Sequence, residues 1–114
     1  MQAFSSHTIP TESRTIATLV KNQLLLVDGT ASVILFGSRA RGDAANDSDW
    51  DFLILTRHTD TDSLADELRK AVRKEVELKY DVAISLVIKN ATLWETDYSV
   101  TNIYESIHDE GILL

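Results

Sequence analysis

Apolar residues recur along this chain with two different periods. Ile16, Leu19, Val20, Leu24 and Val27 return every three or four positions, the spacing that gathers side chains on one face of an α-helix. Pro10-Thr11-Glu12 supplies a start, with proline near the first helical position and an acid in the first turn, and Gly29 supplies a stop. This first helix carries packing and no chemistry. The small polar residues 1–9 before it are expected to be frayed. Elsewhere the apolar positions are contiguous. Val33-Ile34-Leu35-Phe36 and Phe52-Leu53-Ile54-Leu55 read as buried strands, and Val82 to Ile88, rich in branched residues, reads as a third. Strands are thus predicted near residues 31–37, 50–56 and 82–89.

Between the second and third strands a helix is predicted from about Asp62 to Lys79. Its acids Asp62, Asp66 and Glu67 come early and its bases Arg69, Lys70, Arg73, Lys74 and Lys79 late, which complements the helix dipole. Leu64, Leu68, Ala71 and Val72 form its apolar face, and the interleaved charges read as a solvated one. A helix between two strands is a crossover, which permits parallel pairing. Beyond Asn90 the chain reads as helical again, with Thr92 and Glu95 spaced as a capping box and Val100, Ile103, Tyr104 and Ile107 on one face. Trp94, Tyr98 and Tyr104 read as core or interface residues. Gly111 ends that segment, leaving Ile112-Leu113-Leu114 as an apolar tail that either packs back or meets another chain. The pattern as a whole is that of one α/β (α+β) domain over residues 1–114: a small mixed sheet of three or four strands flanked by helices.

Composition narrows the partners. The 114 residues are 44% hydrophobic and 25% charged, a globular mixture. A net charge of −7 argues against direct nucleic-acid binding, which normally uses a basic face. With no cysteine there are no disulfides and no thiolate-held metals. The polar start and the lack of a long apolar run predict no secretory or membrane segment, with the cytoplasm as the default location.

The candidate chemistry lies between the first two strands. Asp49 and Asp51 open the second strand at i and i+2, so they project to the same side with Cα atoms roughly 6.5–7 Å apart. Two carboxylates this close repel each other and resist burial, a conflict that a divalent cation removes. Magnesium suits them, since it takes one or two carboxylates and fills its shell with waters and substrate phosphates. On the other side of the turn, Gly37 lets backbone approach a ligand without a Cβ, and a helical turn starting near Ser38 would offer amides to an anion. The Ser38 hydroxyl adds a donor, and Arg39 and Arg41 can neutralise phosphate charge. Two other motifs fail on the same residues. Gly37 and Gly42 have Walker A spacing, but Asp43-Ala44 stands where Lys and Ser or Thr are needed. Asp47, Asp49 and Asp51 match the first EF-hand ligands, but Phe52 and His58 replace its glycine and closing glutamate. A merely solvated acidic loop fits poorly with so apolar a strand following Asp51.

Gly37-Ser38, a short spacer, then Ser48-Asp49-Trp50-Asp51 and an apolar strand resemble the signature of the DNA polymerase β-type nucleotidyltransferase superfamily. The form Gly-Ser-Arg-Ala-Arg-Gly in so short a chain is most similar to the minimal nucleotidyltransferases. The motif covers residues 33–55, and the order of elements extends the resemblance more weakly to Ile88. It implies a mixed sheet with three carboxylates and two magnesium ions, moving a nucleoside monophosphate from a nucleoside triphosphate, with ATP the expected donor, to a hydroxyl acceptor. Asp49 and Asp51 would hold metal, and Gly37, Ser38, Arg39 and Arg41 the phosphates. Asp81, where the third strand enters, is the candidate for the third carboxylate, catalytic and metal-holding. A shifted register would instead put Ser85 there and leave the third acid missing.

Larger relatives carry extra acceptor-binding domains, so the resemblance also implies a partner: a small helical HEPN-type protein in a toxin–antitoxin arrangement, or a second copy of the chain. The rival expectation is a binding module, an antitoxin or regulator that keeps the fold without the chemistry. No residue identifies the base of the nucleotide.

Overall fold

A computed structural model of the chain describes residues 11–45, 47–97 and 101–114, with side chains from residue 15 onward. The expected frayed start, Pro10, and the Tyr98 and Val100 side chains lie outside the described residues. The elements run α1 (Thr11–Val27), β1 (Ser32–Phe36), α2 (Ser38–Arg41), β2 (Trp50–Thr56), α3 (Thr61–Val72), a π-helical stretch (Arg73–Glu77), α4 (Leu78–Tyr80), β3 (Ile84–Asn90), α5 (Ala91–Thr96), α6 (Asn102–Glu110) and β4 (Ile112–Leu113). The four strands form one sheet in the order β3-β2-β1-β4. β1 is antiparallel to both β2 and β4, and the crossover makes β2 and β3 parallel. This is the mixed sheet flanked by helices that the hydrophobic pattern predicts, and it is consistent with a polymerase β-like nucleotidyltransferase fold.

Both faces of the sheet are covered, which explains why its strands read as unbroken apolar runs. On one face Val33, Leu35, Trp50, Phe52, Ile54, Leu86 and Ile88 pack with Ile16, Val20 and Leu24 of α1 and Leu64, Leu68 and Val72 of α3. On the other, Ile34, Leu53 and Leu55 meet Trp94 of α5 and Tyr104 and Ile107 of α6. Leu64, Leu68, Val72 and Val76 are all buried. A run spaced every four residues overshoots a 3.6-residue turn by about 40° per step. The wider π-helical turn carrying Val76 brings it back onto the core.

Several boundaries differ from the sequence expectation. The segment beyond Asn90 is two helices, and the first is capped by Asn90, whose side chain accepts from the amides of Thr92 and Leu93. The Thr92–Glu95 capping box does not form because β3 runs directly into the helix at Ala91, so Thr92 already lies inside it. Thr101 caps α6 by accepting from the Tyr104 amide. The apolar tail packs back: Ile112 pairs with Leu35 and Leu113 with Ile34. Gly111 permits this turn, since a Cβ there would meet the Ile107 carbonyl oxygen and would lie 2.7 Å from Ile34 Cγ2.

Candidate active site

The site grows from the ends of β1 and β2. Their antiparallel register pairs Phe36 with Asp51, and the parallel register of β3 pairs Asp51 with Ser85. By alternation Asp51 stands on the α5–α6 side of the sheet with Leu53 and Leu55, while Trp50 turns to the α1–α3 side. Asp49, exposed, precedes the strand by one residue, and Asp51 is partly buried. Burial first, and the charge of Asp49 second, push the Asp51 carboxyl above its ordinary pKa, with Arg41 pulling it back. Their repulsion is therefore present in the fold.

Gly37 is fitted against that carboxylate. Its backbone sits at φ 74°, ψ −160°, a region essentially reserved for glycine. A Cβ on Gly37 would lie 2.5 Å from Asp51 Oδ2. The Gly37 carbonyl accepts from the amides of Ala40 and Arg41, both at 3.1 Å, so α2 begins at Ser38 as the sequence predicts. The Gly37 turn and Asp51 thus meet at one end of the sheet, with Asp49 just before β2.

The two arginines are placed differently. Arg41 lies at the end of α2, with Nη1 donating to Glu110 Oε2 at 2.8 Å and Nε to Asp43 Oδ2 at 3.2 Å. Arg39 turns to the Trp50 side of the sheet: its Nη2 donates to the Ser48 carbonyl at 3.0 Å, and its guanidinium lies 4.4 Å from the Trp50 ring centroid. Arg39 thereby ties down the loop that carries Asp49. The signal for this was available, since strict alternation puts Trp50 opposite the two aspartates.

Asp81 is not brought to the pair. The strand begins three residues later, at Ile84, and Asp81 caps α4 with φ 53°, ψ 52°, in the left-handed region. Among the described residues it is the only non-glycine with positive φ. Exposed, it lines a cavity of about 320 Å³ with Arg39, Trp50 and Glu77, a cavity whose lining includes neither Asp49 nor Asp51. Glu77 Oε2 accepts from the Ile84 amide at 3.2 Å and so fixes where β3 starts. Across from Asp51 the register places Ser85. Among the described residues no three acidic or histidine side chains gather in a metal-binding group. The residues present fit magnesium as a two-carboxylate site, whose remaining positions fall to water and phosphate oxygens. Glu110 carried no sequence signal, being 69 positions from the arginine it binds.

A family model described as a nucleotidyltransferase domain matches residues 14–114. The chain is also similar to a curated protein of Methanocaldococcus jannaschii named "Putative protein adenylyltransferase MJ0141", with 41% identity over 69 residues, covering 60% of this chain and 69% of the relative. Among the described residues no helix is long and apolar enough to cross a membrane. With the glycine–carboxylate contact at the end of a mixed sheet, and a family match that spans nearly all of the described residues, this chain belongs to the nucleotidyltransferase domain family.

Proposed function

We propose that the protein is a magnesium-dependent adenylyltransferase that moves AMP from ATP to a hydroxyl group of a partner protein. The observation that carries this reading is the packing of Gly37 on Asp51, a carboxylate already repelled by Asp49, which supports a phosphate-holding turn beside a metal-holding pair. Family membership supports nucleotidyl transfer, and the relative's name points to adenylyl transfer onto protein. Asp49 and Asp51 would hold the metal, and the Gly37–Ser38 backbone and the Ser38 hydroxyl would hold the β and γ phosphates. Magnesium, when bound, supplies positive charge at the α-phosphate and screens the two aspartates from each other. The acceptor hydroxyl gives its proton to solvent as its oxygen forms a bond to the α-phosphorus, the bond to the bridging oxygen breaks, and pyrophosphate leaves with the electron pair. The protein's own part is alignment and electrostatic stabilisation. A helical HEPN-type protein or a second copy of the chain would supply the rest of the acceptor site.

One observation favours a second reading. Ser85, not an acid, stands beside Asp51, and on that reading the fold serves as a binding module, an antitoxin or regulator without turnover. A single experiment separates the two: incubation with ATP labelled at the α-phosphate, magnesium and lysate of the source organism, followed by identification of the labelled species. The expected result is a labelled protein, lost with Asp49→Asn or Asp51→Asn and retained with Asp81→Gly. Absence of label with the wild type refutes transfer and supports the binding module. Loss of label with Asp81→Gly, in a variant that still folds and binds triphosphate, restores Asp81 as an essential carboxylate.

A further inference from the structure

The ion pair between Arg41 and Glu110 lies beside the phosphate loop, and the sheet explains why. β4 pairs Leu113 with Ile34 and Ile112 with Leu35. β4 starts two residues after Glu110, the last residue of α6, so docking of this strand on β1 brings the end of α6 towards the end of β1. Arg41, one helical turn beyond Gly37, then meets Glu110 at 2.8 Å. Both side chains are partly exposed, 43% and 36%, and ion pairs of this kind add little to folding stability. Helix stability does not explain Glu110 either. It is the last residue of α6, directly after Asp109, and the negative end of a helix dipole disfavours acids. An acid that costs its own helix and holds the Arg41 guanidinium, whose charge acts on Asp51, calls for another explanation.

We propose that Glu110 is a positioning residue for the nucleotide, holding Arg41 at the mouth of the phosphate loop until a triphosphate competes for its guanidinium. This rests on the nucleotide-binding reading above. Arg41 keeps Nε on Asp43 and exchanges the Glu110 carboxylate at Nη1 for phosphate oxygens, which accept its N–H groups at least as well and carry more charge. When the phosphates leave, Glu110 takes the guanidinium back. The pair therefore lowers triphosphate affinity while keeping Arg41 in place.

The test is calorimetric titration of the α,β-methylene analogue of ATP with magnesium, and of adenosine alone, into wild type, Glu110→Gln, Arg41→Gln and the double variant. Salt is held at about 0.15 M, where direct repulsion between exposed Glu110 and distant phosphates is largely screened. Glu110→Gln is expected to bind the analogue about two- to fivefold more tightly, the scale of a surface ion pair removed from competition. Adenosine affinity should not change, which a general structural role would not predict. With Arg41→Gln in place, adding Glu110→Gln should bring no further gain. Unchanged or weaker analogue binding in Glu110→Gln, or the full gain in the double variant, overturns the proposal while leaving the nucleotide reading intact. A wild type that binds no triphosphate overturns both.

Discussion

Replacing Gly37 with alanine would place a methyl group 2.5 Å from Asp51 Oδ2 on a backbone at φ 74°. The expected loss of stability is on the order of 1–3 kcal/mol from the backbone alone, measured by urea denaturation, and magnesium-supported nucleotide binding should fall further because the carboxylate is displaced. Asp51→Asn should act oppositely on stability. Burial, then the Asp49 charge, raise the Asp51 pKa in the fold. Its stabilising contribution is thus complete below the unfolded value of roughly 3.9 and is lost as pH rises through the higher folded value. At neutral pH without metal, Asp51→Asn should melt above the wild type, and the difference should close as pH falls below that range. Added magnesium should raise the wild-type melting temperature and leave that of Asp51→Asn unchanged. The placement of both residues at one end of the sheet was legible from sequence because alternation and glycine chemistry are local. Asp81 was not, since whether it enters the strand depends on where Glu77 pins the Ile84 amide, a contact across seven residues.

At the scale of elements, the far end of the sheet is held by a buried carboxylate. Asp28, just after α1, accepts from Thr30 N at 3.0 Å, Thr30 Oγ1 at 2.7 Å and, across to the end of β2, Thr56 Oγ1 at 2.7 Å. Burial pushes its pKa up, but the hydrogen bonds from Thr56 and Thr30 together outweigh this and hold it below the ordinary value. With a depressed folded pKa, Asp28 stabilises the fold above its unfolded pKa and loses that contribution as pH falls through the folded one. Thr56→Val should cost about 1–3 kcal/mol near neutral pH, the scale of a hydrogen bond to a buried charge, and less in strong acid; a loss independent of pH would show that Asp28 is not the partner that matters. The strands themselves were readable as apolar runs, and the crossover helix permitted the parallel pairing that β2 and β3 adopt. The Asn90 cap was missed because a strand passing into a helix with no loop shows no break in the sequence.

For the whole molecule, what sequence could not show was contact at a distance. Arg41 and Glu110 are joined only because β4 lies next to β1, and no periodicity in residues 112–114 announces that pairing. The same topology decides the second layer of the core. Ile34 and Ile107 belong to one buried cluster with Trp94 and Tyr104, so the face of the sheet carrying Asp51 is complete only when α6 is docked. The buried residues of the α1–α3 face fall instead within 16–88, with partly buried Leu114 packed against them.

That strand order also sets a schedule. β1 is central in the finished sheet, yet its neighbour on one side is formed by residues 112 and 113. At about 5–20 residues per second on the ribosome, β2 follows β1 within a few seconds, whereas β4 follows roughly 4–15 s later. During that interval the backbone of Ile34 and Leu35 remains an open edge, the kind that pairs with other chains. The nascent protein therefore passes through a form with an open edge before Glu110 exists to meet Arg41, and a chain released short of Ile112 would keep that edge for good.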